Sequence, residues 1–140
     1  MKKPTAGTVR EIMMGSPVTL RPDATLELAH NLISLGRIRH LPVLDGGRLV
    51  GLLSERDLIG GVSNRILRLT PRGRATLLKD ELVRNVMKKR VVTVTPETPI
   101  KEAARLMAEK KIGCLPVLRD GSLVGLVTAT NVLRYFAALA

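Results

Sequence analysis

The sequence predicts an α/β (α+β) fold made of two copies of one unit, ordered strand, helix, strand, strand, helix. Three observations predict it. The chain repeats itself at a shift of 74 residues, so that from Glu11 to Ile59, 16 of 49 positions are identical without a gap. Apolar residues switch between a helical spacing and short continuous runs inside each copy. Those runs are apolar at nearly every position, as expected of strands in a sheet covered on both faces. The copies are expected at residues 8–60 and 82–140, with a connector over 61–81.

Each element has a local reason. Val18–Leu20 and Val91–Val94 are β-branched runs that predict a short first strand. In the first copy Leu26, Ala29 and Ile33 share one helical face, and Gly36 is the expected stop. In the second copy Ile100, Ala103, Ala104 and Met107 do the same after Pro99, a residue suited to a first helical turn. Leu41-Pro42-Val43-Leu44 and Leu49-Val50-Gly51-Leu52 predict two strands around Asp45-Gly46-Gly47, a tight-turn sequence, and they recur as Leu115–Leu118 and Leu123–Leu126 around Asp120-Gly121. A closing helix is expected to start near Ser54 and near Thr128. One unit is small for an independent core, so the two copies are expected to bury sheet faces against each other about a pseudo-twofold axis, with two related clefts at the seam.

Composition bounds the function. Of 140 residues, 45% are hydrophobic and 25% charged, and the only aromatics are Tyr135 and Phe136, so the core must be aliphatic. Cys114 is the sole cysteine and cannot pair within the chain. No apolar run approaches the ~18 residues that span a bilayer, and no apolar segment follows the basic N-terminus; a soluble, cytoplasmic protein without a membrane partner is expected. The net charge of +11 points to an anionic partner or to a solvated surface. A nucleic-acid reading would use Arg65, Arg68, Arg72, Arg74 and Lys79 of the connector with Lys88-Lys89-Arg90, although aromatic stacking platforms are lacking. Metal binding is poorly supported, because His30, His40 and Cys114 have no ligand spacing. No catalytic motif is present, and an enzyme with a cryptic site is the least favoured class. Met13, Met14 and Met107 are most simply core or interface filler.

The chemistry concentrates at the start of each closing helix. Gly51-Leu52-Leu53-Ser54-Glu55-Arg56-Asp57 matches Gly125-Leu126-Val127-Thr128-Ala129-Thr130-Asn131. One account is a helix cap, Ser54 with Asp57 three residues on; it fits Asn131 less well and leaves the glycine unexplained. The other is a nucleotide grip, in which a carboxylate one turn into a helix accepts both ribose hydroxyls, helix N–H groups face a phosphate, and glycine allows close approach.

The repeat as a whole resembles a tandem pair of cystathionine-β-synthase (CBS) domains, a Bateman module. The resemblance covers about 120 of the 140 residues. It is carried by Val-Arg-Glu-Ile-Met (9–13) with Val-Arg-Asn-Val-Met (83–87), and by Thr-Leu-Arg-Pro-Asp-Ala-Thr-Leu (19–26) with Thr-Val-Thr-Pro-Glu-Thr-Pro-Ile (93–100). Arg-His-Leu-Pro-Val-Leu-Asp (39–45) and Gly-Leu-Leu-Ser-Glu-Arg-Asp-Leu (51–58) complete it. The resemblance implies adenosine-ligand sites (AMP, ADP, ATP or S-adenosylmethionine) and a disk-like homodimer. It also implies a sensor that acts on a separate effector protein. It makes Asp57 the ribose ligand and Ser54 the hydroxyl beside it, with His40 and Arg39 facing phosphate and Arg56 within reach of it. Thr19 and Thr93 would line the base slots. Thr128 and Asn131 would form the second site, which is expected to be weaker: a neutral acceptor contributes about 1 kcal/mol against ~1.5–3 for a charged one, and Gly113 and Cys114 replace Arg39 and His40.

Overall fold

A computed structural model describes residues 7–58 and 70–139. The chain divides into two compact units, one of Val18–Val91 and one of Met1–Pro17 with Val92–Ala140.

In the Val18–Val91 unit, the expected first strand contracts to a single parallel bridge. Leu20 N–H donates to the Pro42 carbonyl at 2.9 Å, and Leu44 N–H donates to that of Leu20 at 2.9 Å. Helix α2 (Leu26–Gly36) is capped by Thr25, whose hydroxyl accepts from Leu28 N–H at 3.2 Å, and it buries Leu26, Ala29 and Ile33. It ends at Gly36, the expected stop, and the next residue, Arg37, is the left-handed one (φ 52°); the other unit repeats the pattern at Lys111 (φ 55°). A non-glycine residue there costs roughly 1–2 kcal/mol, offset in part by a cation beside the helix's unpaired carbonyls. Strands β2 (His40–Asp45) and β3 (Arg48–Ser54) pair antiparallel around Gly46 and Gly47, whose φ values of 58° and 83° are those a two-residue primed turn demands. Residues 55–58 then form helix. Inside the stretch expected as connector lies helix α3 (Pro71–Asp80), opened by Thr70 and Pro71. Its Leu77 and Leu78 pack against the core of Leu20, Leu26, Leu41, Leu53 and Val83.

The other unit follows the same plan. Val94 makes the single parallel bridge to Val117. Helix α4 (Ile100–Lys110) buries Ile100, Ala103 and Met107, and Pro99 sits one residue earlier than expected, at the cap rather than within the first turn. Strands β4 (Cys114–Arg119) and β5 (Ser122–Thr128) turn through Asp120 and Gly121 (φ 50° and 81°), and α5 (Ala129–Ala137) follows. The core is aliphatic, as composition required, and no polar or charged residue among the described ones is buried.

The units do not coincide with the sequence copies, because each copy's opening segment pairs with the other copy's hairpin. Helix α1 (Val9–Ile12) is held by Val9 N–H to the Thr98 carbonyl at 2.8 Å, and the following strand β1 (Met14–Gly15) pairs with β5, Met14 opposite Leu126. Correspondingly, the 3-10 turn Val83–Asn85 is held by Val83 N–H to the Ala24 carbonyl at 2.8 Å. Lys88 then exchanges two 3.0 Å hydrogen bonds with Leu52 on β3. Glycine permits this crossing. A Cβ on Gly51 would strike Met87 Sδ and lie 3.0 Å from the Lys88 carbonyl oxygen; on Gly125 it would lie 2.9 Å from Met13 Sδ and 2.8 Å from the Met14 carbonyl oxygen. The close approach expected at these glycines is thus made by the backbone and methionine of the opening segments.

Gly51→Ala and Gly125→Ala should therefore each lower stability by about 1–3 kcal/mol, the usual penalty of overpacking. Gly113→Ala, where an added Cβ meets nothing within 4 Å, should be neutral or stabilising by up to about 1 kcal/mol. Urea denaturation of the three variants checks the contrast.

Candidate functional site

Ser54 ends β3 and opens the helical turn at residues 55–58. Both arms of a capping box are present. Asp57 N–H donates to Ser54 Oγ at 2.9 Å, and Ser54 N–H donates to Asp57 Oδ2 at 3.1 Å. The cap account is thus correct for the first repeat, and it leaves Asp57 Oδ1 outside the cap. That oxygen lies 3.8 Å from Lys88 Nζ, a loose ion pair in which the Asp57 side chain is 15% exposed and Lys88 62%. A carboxylate held by one oxygen and open at the other can still accept a ligand hydroxyl.

Pairing within the hairpin places His40 beside this carboxylate, since His40 is the register partner of Ser54 and the Arg39 carbonyl accepts from Glu55 N–H at 2.8 Å. Arg39, Glu55 and Arg56 are exposed, and His40 is half-buried. Burial pushes the His40 imidazole below its usual range; Asp57 and Glu55 oppose that shift, and Arg39 and Lys88 reinforce it. Thr19 is exposed, directly before the Leu20 bridge. The structure thus brings Ser54, Asp57 and His40 together, with Arg39 alongside. It adds Lys88, which sequence reasoning assigned to a basic run. The only available signal was the repeat itself, which aligns Lys88 with Met14 and places both in the opening segments.

In the second repeat Thr128 caps α5 and Asn131 is its partner, so the cap account fits Asn131 better than its residue type suggested. Asn131 Oδ1 accepts from Thr128 N–H at 2.8 Å and from Thr128 Oγ1 at 2.9 Å. Both lone pairs are engaged in the cap, so a ribose hydroxyl could bond to this oxygen only by displacing the Thr128 hydroxyl. Thr93 is exposed, directly before the Val94 bridge. Cys114 is buried and its thiol is pushed up to about 12 by desolvation, which makes it a small apolar residue at neutral pH.

Residues 9–64 and residues 83–138 each match the CBS domain. The chain belongs to the CBS-domain family. The pair is similar to a CBS domain-containing protein of Dictyostelium discoideum, 35% identical over 127 residues, 89% of this chain and 88% of that one. It is also similar to the CBS domain-containing protein YhcV of Bacillus subtilis, 30% identical over 86% of this chain and 79% of that one. The crystal structure of CBSX2 in complex with AMP superimposes with a TM-score of 0.78 at 26% identity, covering 95% of this chain and 98% of that one. Against inosine-5′-monophosphate dehydrogenase of Korarchaeum cryptofilum the CBS pair is 34% identical but spans only 21% of that enzyme's length.

Among the described residues, no three His, Cys, Asp or Glu side chains form a metal-binding group, and no helix is long and apolar enough to cross a membrane. Of the basic residues considered for nucleic acid, Arg65 and Arg68 lie outside the described residues, while Arg72, Lys79, Lys88, Lys89 and Arg90 are exposed.

His40 supplies a pH test. The unfolded histidine takes up a proton near 6.5, while the folded one resists until lower pH. Its contribution is full above about 6.5, is lost as pH falls through that value, and stops changing below the depressed folded pKa. The urea midpoint should fall between pH 7.5 and pH 5, and His40→Gln should remove that part of the slope.

Proposed function

We propose that this CBS pair is a regulatory module that binds an adenosine ligand, and that it is not an enzyme. Asp57 accepts the ribose hydroxyls through its uncommitted oxygen, Ser54 holds that carboxylate in place, and Thr19 lies along the base. His40, Arg39 and Arg56 face the phosphate side. The observation that carries the proposal is the half-used carboxylate of Asp57, sheltered yet short of one hydrogen-bond donor. The AMP complex of the similar CBSX2 supports the ligand class, which includes AMP, ADP, ATP and S-adenosylmethionine. Thr128, Asn131 and Thr93 form the weaker counterpart. A separate effector protein in the cytoplasm reads the bound state. A homodimer is supported by exposed apolar side chains, Leu133, Phe136 and Leu139 at 68%, 41% and 57% exposure and Leu35 at 86%, which water disfavours.

Calorimetry and thermal unfolding with AMP, ATP and S-adenosylmethionine test the proposal. At 100 times its dissociation constant a ligand adds about 2.7 kcal/mol of stability. At least one of the three should raise the melting temperature of the wild type, and Asp57→Ala should weaken its binding at least tenfold. Equal stabilisation of both proteins would show that the site is misplaced. A melting curve unmoved by all three ligands would end the adenosine reading.

A further inference from the structure

The two repeats place different chemistry in equivalent positions. Asp57, Arg39, His40, Glu55 and Lys88 form one cluster, in which the four charged groups act on the His40 imidazole and Lys88 pairs loosely with Asp57. At the 74-residue shift their counterparts are Asn131, Gly113, Cys114, Ala129 and Met14, none of them charged at neutral pH. Lys88 is the member of this set that comes from a distant segment, and its place is well determined. Its backbone N–H and carbonyl both bond to Leu52 at 3.0 Å, so the stem leaves the edge of β3 at a set point. Met14 occupies the matching point on β5, opposite Leu126. The Lys88 ammonium stands 3.8 Å from Asp57 Oδ1, beyond the ~2.7–2.9 Å of a charge-assisted hydrogen bond. It is near enough to neutralise the carboxylate, and loose and exposed enough to turn to a second anion.

We propose that Lys88 is a specificity-determining side chain of the first-repeat site, favouring, beside the groups on the phosphate side, adenosine ligands that carry a 5′-phosphate over uncharged adenosyl compounds. This rests on the reading of Asp57 as the ribose acceptor. With the ribose on Asp57, a 5′-phosphate extends by a few ångströms, a span that the flexible lysine stem can follow. A nucleoside without phosphate leaves the ammonium as it stands and gains nothing from it. The second repeat, with Met14 at that point, has no cation there to exert such a preference. Because Lys88 is mostly exposed, the preference is electrostatic and screened by salt.

The experiment is calorimetric titration of the full chain with AMP and with adenosine, in wild type, Lys88→Met and Lys88→Arg, at low and high salt. The heat removed by Asp57→Ala identifies the first-repeat site. In wild type, AMP should bind there at least tenfold more tightly than adenosine. That ratio should shrink as salt rises, fall at least fivefold in Lys88→Met, and persist in Lys88→Arg. If Lys88→Met does not fold, Lys88→Gln, which keeps the length of the stem, must show the same fall. If both compounds bind wild type and the ratio is unchanged in the neutral variant, the lysine has no such role, while the adenosine site stands. If neither compound binds wild type, this inference falls, and the site falls with it only when ATP and S-adenosylmethionine also fail to bind.

Discussion

The close crossing of a methionine over a side-chain-free strand position is the constraint on which the rest depends. Gly51 and Gly125 have no Cβ, so Met87 and Met13 fill the space one would take. Only then can Lys88 and Met14 reach the strand edge and pair with Leu52 and Leu126. A sheet edge that would otherwise expose unpaired N–H and carbonyl groups is satisfied by a segment from the other copy. Apolar burial acts in the same direction, since Val83 and Val9, the anchors of the two segments, are fully buried in the cores they join.

The helix starts show how one local motif serves two ends. In both repeats a hydroxyl and a residue three positions on cap the closing helix. The carboxylate does this with one oxygen and keeps the other. The amide, with one oxygen, spends both of its lone pairs. The same cap thus leaves a carboxylate oxygen over at Asp57 and no oxygen over at Asn131. The surroundings follow the same division: polar and charged side chains gather at Asp57, whereas the buried thiol of Cys114 stands where His40 does.

Much of this was legible in the residues. The hairpins were, because Gly46-Gly47 and Asp120-Gly121 supply the positive φ values that the turns demand. The buried faces of α2 and α4 were, because Leu26, Ala29 and Ile33, like Ile100, Ala103 and Met107, recur at helical spacing. Less legible were the helix ends, where Arg37 and Lys111 adopt a conformation that residue type argues against. The first strands contracted to single bridges at Leu20 and Val94, because only one residue of each run meets the neighbouring strand. Helix α3 carries too few apolar residues for its sequence to declare it, and Leu77 and Leu78 reveal its buried side only through packing.

By itself, the sequence determined the twofold repetition, the aliphatic cores, the tight turns and the pairing of Ser54 with Asp57. Each of these rests on neighbours a few residues apart, or on a residue's own conformational limits. The tertiary structure alone decided that the opening segments are exchanged between copies and that Lys88 faces Asp57. Those outcomes depend on which strand edge offers a gap wide enough for a methionine, a property of two segments far apart along the chain that no local spacing records.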